Sequence, residues 1–235
     1  MDKEVEINEK PGDNSNLSTE NISKISRAFG MVSHFICALF TGFVVYTAWP
    51  GSSLFSWHPT LMTIAFALLV AEALFMFSPE SSLALKSPRS DKIKYHWILH
   101  TLALVFGSLG FFAIFYNKVL NDKLHFQSWH GRIGLITIVY FSSQCLAGST
   151  LLYPNFMKFI RLADKKLYHA TSGTVLFALL NLSLVLGMCS SWFTTQVTGT
   201  AWYACILCPL LTTLMVTIQV SNAYIRTKKV SRPKN

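Results

Sequence analysis

Charge is what this sequence has least of. Only 13% of its 235 residues are Asp, Glu, Lys or Arg, 11 are acidic, and 51% are apolar. That balance excludes an ordinary soluble domain, in which about a quarter of residues are charged. Cysteine is sparse as well. Cys37, Cys145, Cys189, Cys205 and Cys208 all lie within or at the ends of apolar runs, which argues against a disulfide framework. Cys205 and Cys208 form a CxxC with no histidine near it, and packing is their expected role. The pattern of a signal peptide is missing too: residues 1–27 are polar, mixed in charge and read as a disordered tail. The formal net charge of +9 points first to nucleic acid. The basic residues, however, gather at the ends of apolar runs, where membrane proteins keep them, so no nucleic-acid partner is expected and the lipid bilayer is.

What is present in abundance is apolar length. Six runs reach the roughly 20 residues that a bilayer-spanning helix needs. They are Ala28–Trp49, His58–Phe77, Tyr95–Tyr116, His130–Leu152, His169–Ser190 and Ala201–Tyr224. The expected fold is all-α, an integral membrane protein with six transmembrane helices. A membrane domain at 28–225 would stand between tails at 1–27 and 226–235. Pro50-Gly51, Pro79 and Pro154 punctuate the run ends, and Trp57, Trp97, Trp129, Trp192 and Trp202 cluster near them as an aromatic belt does. Gly107, Gly110, Gly131, Gly134 and Gly148 would let helices approach closely. Seventeen of the 20 Lys and Arg fall in the tails and in alternate loops, against Lys118 and Lys123 on the other side and Arg132 just inside run four. The positive-inside rule then places both termini in the cytoplasm.

The histidines carry the chemistry. His58, His96, His130 and His169 open runs two to five, each expected in the first turn of its helix. Alternate helices start on opposite membrane faces, so His58 and His130 belong to the non-cytoplasmic face and His96 and His169 to the cytoplasmic face. Side chains on facing helices of an antiparallel bundle project inward, and two imidazoles can hold a haem iron axially. A lone histidine at a helix end is more often interfacial than a ligand. Four of them, paired by leaflet, favour ligation. A zinc site would need further ligands on each pair, and a proton relay stays open. No CxxCH occurs, which excludes covalent c-type attachment. His100 shares a helix face with His96 but lies a turn deeper and reads as packing or as a support to the ligand ring. Glu72, His34 and Arg132 remain unassigned: Glu72 as a buried acid seeking a ligand imidazole, Ser, Thr or water, His34 as interfacial, Arg132 as facing a haem propionate or reaching for the surface.

The segments Ser56-Trp57-His58-Pro59, Tyr95-His96-Trp97, Ser128-Trp129-His130-Gly131 and Leu167-Tyr168-His169-Ala170-Thr171-Ser172-Gly173 together resemble the cytochrome b561 family over about residues 28–225. One departure is visible: many members carry Trp after the third ligand, whereas here Trp129 precedes His130 and Gly131 follows it. The resemblance implies a bundle of helices 2–5 around two non-covalent b haems, with axial pairs His58/His130 and His96/His169. It implies a transmembrane oxidoreductase moving electrons from cytosolic ascorbate to monodehydroascorbate radical or ferric iron. It also implies endoplasmic reticulum and vesicle membranes and a possible homodimer. The family's donor-binding Lys and Tyr fall at Lys94 and Tyr153, and its Arg falls near Arg161, about two positions on, at Ala163. His125 matches a position near the outer substrate site. The rival readings are a non-haem transporter or channel using the histidines for protons or metal, and a structural membrane protein.

Overall fold

In the computed structural model, which describes residues 13–78, 82–84 and 86–230, every regular element is helical. Helix α1 spans Asp13–Ala48, α2 Trp57–Phe75, α3 Arg89–Leu120, α4 Trp129–Leu152, α5 Leu162–Met188, the short α6 Ser191–Gln196 and α7 Gly199–Val230. Among the described residues, all but α6 are long and apolar enough to cross a membrane. Helix α1 starts well before the apolar run, so residues 13–27 of the supposed tail are helical, and residues 1–12 lie outside the described residues. Likewise α7 continues to Val230, and 231–235 lie outside the described residues.

Helices α2, α3, α4 and α5 each pack on the next, and α5 closes back on α2, giving a four-helix bundle. Helix α1 lies against α2, and α7 against α5. The bundle is solvated from outside by apolar side chains. Leu102, Val105, Leu109 and Phe112 on α3 and Leu207, Leu210, Leu214 and Ile218 on α7 are exposed at helical spacing, the pattern of a surface that faces lipid. The middle of the bundle is a dry core of Ala65, Phe66, Val70, Ala103, Phe141, Leu176, Phe177 and Leu180. Its density depends on small residues, since helices in lipid gain little from hiding apolar surface and associate by close contact. A Cβ on Gly107 would stand 2.7 Å from the Phe66 ring, and one on Gly110 would stand 3.1 Å from Leu61 Cβ.

Helix α2 is not uniform. Residues Ile64–Leu69 form a π-helical segment between two α-helical ones. Such an insertion adds one residue to a turn. At its far end Phe77 N–H bonds Leu74 O and Met76 N–H bonds Glu72 O, which leaves the Ala73 carbonyl for another partner.

The outer helices are tied on by polar contacts. His34 of α1 meets the Glu72 carboxylate of α2 through Nδ1, at 2.7 and 2.8 Å from its two oxygens. Both sequence expectations for this pair change: Glu72 serves no ligand imidazole, and His34 is buried rather than interfacial. The Gln219 amide of α7 donates to Leu74 O at 3.0 Å, and the Trp202 indole donates to Met188 O at 2.8 Å, satisfying carbonyls at the ends of α2 and α5. Removing one member of this part-buried pair costs the hydrogen bond between them, about 1–3 kcal/mol. Glu72→Ala therefore lowers the thermal unfolding midpoint in detergent sharply, and the double variant His34→Phe with Glu72→Leu recovers most of the loss; an unchanged midpoint in Glu72→Ala contradicts this brace.

Candidate functional site

The four histidines come together two by two. Ser128 accepts from Gly131 N–H at 3.1 Å and so sets the start of α4 at Trp129. His130 and His58 are thus the second residues of α4 and α2. Their ring centroids are 5.9 Å apart with planes at 72°. Helices α3 and α5 start earlier than their apolar runs do, at Arg89 and Leu162, so His96 and His169 are each the eighth residue rather than first-turn residues. The Lys-rich stretches before them form helix readily and carry each helix two turns past its apolar part. His96 and His169 pair at the opposite end of the bundle, centroids 6.3 Å apart and planes at 77°.

Three of the rings are held by backbone carbonyls. Nδ1 of His58 lies 3.0 Å from Gly110 O, that of His96 2.9 Å from Ala73 O, and that of His130 2.9 Å from Ser183 O. A carbonyl only accepts, so each Nδ1 carries the ring proton and each Nε2 keeps its lone pair. His169 is held differently. Its Nδ1 stands 3.2 Å from the Gln144 amide nitrogen, which donates to the His169 carbonyl at 2.7 Å. The Ser172 hydroxyl donates to Gln144 Oε1 at 2.9 Å, and the Tyr140 hydroxyl donates to Ser172 O at 3.2 Å.

One register governs these contacts. Helices α2 and α3 brace each other's histidines, and so do α4 and α5. Gly110, Gln144 and Ser183 each follow the histidine of their own helix by 14 residues, and Ala73 follows His58 by 15. The extra residue lies where the π segment of α2 absorbs it. A second interval concerns glycine. Gly148 follows His130 by 18 residues, and Gly187 follows His169 by 18. Eighteen residues make five turns of about 3.6 residues, so each glycine returns to the face of its own histidine. In the antiparallel pair it meets the other one. A Cβ on Gly148 would stand 3.0 Å from His169 Cε1, and one on Gly187 3.1 Å from His130 Cε1.

This donor set fits a haem iron. Two imidazoles sharing one metal, with bonds of about 2 Å and ring centres about 1 Å behind each nitrogen, stand about 6 Å apart, which is the separation seen in both pairs. Among the described residues no three His, Cys, Asp or Glu side chains gather into a closed metal site. Each pair therefore suits a metal that brings its own equatorial ligands.

The other expected site residues stand around the pairs. Lys94 is exposed on α3 itself, two residues before His96. Tyr153 ends α4 with its side chain exposed, and Arg161 precedes α5. Arg161 already bonds the Asp164 carboxylate at 2.8 and 3.2 Å, and that bond and charge hold its guanidinium pKa above the ordinary value. His125 is half-buried, its ring stacked on Phe115 at 4.2 Å and 21°. Arg132 donates to Phe126 O at 3.1 Å and lies over the Trp129 ring at 5.7 Å, so it braces the loop before α4. Gln144, the three carbonyls and Gly187 are absent from the sequence reading. The intervals of 14 and 18 residues were the available signal.

Comparison with known proteins agrees with this geometry. The family description "Eukaryotic cytochrome b561" matches residues 57–194, a stretch that contains all four histidines. The chain is 47% identical to "Transmembrane reductase CYB561D2" of Bos taurus over 91% of its own length and 98% of that protein. It is 40% identical to "Probable transmembrane reductase CYB561D1" of Mus musculus over 88% of its length and 90% of that protein. It is 30% identical to "Lysosomal membrane ascorbate-dependent ferrireductase CYB561A3" of Bos taurus over 67% of its length and 59% of that protein. With two imidazole pairs at opposite ends of one helical bundle and relatives matched over nearly the whole chain, this protein belongs to the cytochrome b561 family.

Proposed function

We propose that the protein carries electrons across its membrane, from ascorbate on the cytoplasmic side to monodehydroascorbate radical or ferric iron on the lumenal or outer side. The observation that supports this reading is a single bundle with one imidazole pair at each end. Haem b is the cofactor of the family. We assign one to His58 with His130 and one to His96 with His169, through Nε2 of the three carbonyl-held rings. Bound there, the haem iron supplies a one-electron carrier that changes valence with its ligands in place. The name of the relative CYB561A3 supports ascorbate as donor and ferric iron as acceptor.

The chain's own residues do the remaining work. The carbonyls of Gly110, Ala73 and Ser183 hold the ring protons on Nδ1, which keeps each Nε2 available and makes the imidazole a more basic ligand. The core of Ala65, Phe66, Ala103, Phe141 and Phe177 keeps water out of the space between the pairs. A gap filled by these apolar side chains opposes the passage of hydrated ions, and this favours electron transfer over a metal conduit. Basic residues on the cytoplasmic side attract the ascorbate anion, with Lys94, Tyr153 and Arg161 as its contacts. His125 takes the corresponding place on the acceptor side. The Lys and Arg distribution supports both termini lying in the cytoplasm, and the family resemblance supports endoplasmic reticulum or vesicle membranes.

Purified protein is expected to show dithionite-reducible b-type absorption bands, and their absence would refute the assignment. His96→Ala should bind one haem in place of two and lose reduction by ascorbate; two haems in that variant would show that His96 is not a ligand. Gly148→Val should lower haem occupancy at the His96–His169 pair alone, and Gly187→Val at the His58–His130 pair alone, read from haem-to-protein ratio and low-spin ferric spectra. Lys94→Glu reverses one charge beside the donor. It should raise KM for ascorbate about tenfold, equivalent to about 1.4 kcal/mol, with little change in the haem spectrum; an unmoved KM removes Lys94 from the donor site.

A further inference from the structure

His100 is the histidine that the ligand scheme leaves out. It lies one helical turn inward from His96 on α3, with ring centroids 4.4 Å apart at 79°. Its other ring neighbour is Phe141, a fully buried residue of the central core, at 5.7 Å. Its Nδ1 is buried and meets no hydrogen-bond partner. Every ligand histidine, by contrast, has its Nδ1 engaged. His100 is thus a polar ring that the interior leaves with one nitrogen unsatisfied.

The positions one turn inward from the other three ligands hold Met62, Gly134 and Gly173. Two centres with the same ligand chemistry thus differ at this layer. One has a polar imidazole beside it, and the other has a thioether. In a dry interior a dipole acts with little screening. A polar ring kept there with one nitrogen unsatisfied is a cost that apolar packing would not carry.

We propose that His100 is a positioning residue: acting through the His96 ring, its imidazole sets the reduction potential of the haem that His96 and His169 would hold. This rests on the two-haem reading above. The test is a redox titration of holoprotein, with a His130→Ala background identifying the step that belongs to the His96–His169 haem. His100→Met copies the residue found at the other centre. It should move the potential of the His96–His169 haem toward that of its counterpart, leave the other potential in place, and shift the low-spin ferric EPR signal of the same haem. His100→Asn, which keeps a polar side chain, should retain most of the wild-type separation. The reciprocal change Met62→His should move the other haem's potential toward that of the His96–His169 haem. Wild-type potentials in His100→Met with both haems bound would overturn the proposal. If His100→Met fails to bind haem, an unmoved potential in Met62→His overturns it instead. Failure of the wild-type protein to bind haem is a different result and refutes the functional reading, not the role of His100.

Discussion

An imidazole inside a membrane must satisfy one nitrogen without surrendering the other. If both nitrogens were hydrogen-bonded, the ring could not ligate. If neither were, the ring would be expensive to bury and free to turn. Three of the four ligand rings solve this with a main-chain carbonyl. Main-chain carbonyls are abundant in a helical bundle and accept only, so they fix the tautomer without any further polar side chain. The demand this makes is positional. The carbonyl that holds a ring on one helix must sit at a set depth on its neighbour. The 14-residue interval between three of the histidines and the carbonyl or amide that each one's helix offers across the bundle is that depth written into sequence. Helix α2 runs one residue long and carries a π segment between its two functional points, so the wide turn restores a register that a regular α-helix would miss.

The same demand shapes the packing. Rings held this close to a facing helix need a missing side chain there, and Gly148 and Gly187 supply it. Between the two pairs nothing polar is needed, and the bundle fills with Phe66, Phe141 and Phe177 against Ala65, Ala103 and Gly107. Helices α1 and α7 brace the helices that carry the ligand rings. The His34–Glu72 pair and the Gln219 amide act on the last turns of α2, next to the Ala73 carbonyl that holds His96. Their link to function runs through that one turn of backbone.

Much of this was legible in the residues. Apolar length marks six spans, and four histidines at run starts mark two pairs. Hydropathy does not mark where helices begin. Arg89 and Leu162 open helices whose first two turns are charged, so His96 and His169 lie deeper in their helices than the apolar pattern implied. Carbonyl partners carry no side-chain signature, so Ala73, Gly110 and Ser183 stayed invisible. Gln144 looks like any polar residue until the ring of His169 is placed beside it. Glu72 and His34 were each visible as oddities, but a separation of 38 residues offers no periodicity that would join them. The π segment has an ordinary apolar composition, and only the 15-residue interval betrays it.

The two ends of the bundle are built differently, and the difference begins with where helices start. At the His58–His130 end the rings are second residues of α2 and α4, while α3 runs on past Gly110 to Leu120, and its Phe115 and Phe111 stack on His125 and Phe126 of the loop before α4. At the other end two further turns of α3 and α5 rise past the rings, a collar of about 10 Å at 1.5 Å per residue. That collar carries Lys92, Lys94, Lys165 and Lys166, and Lys165 is buried within it. Basic groups fixed on helices concentrate an anion more effectively than the same charges on mobile loops, because no ordering has to accompany binding. The other rim joins flat aromatic surface to Lys118 and Arg132. Rims so unlike recognise different partners, while the direction of net transfer is set by the partners' own potentials.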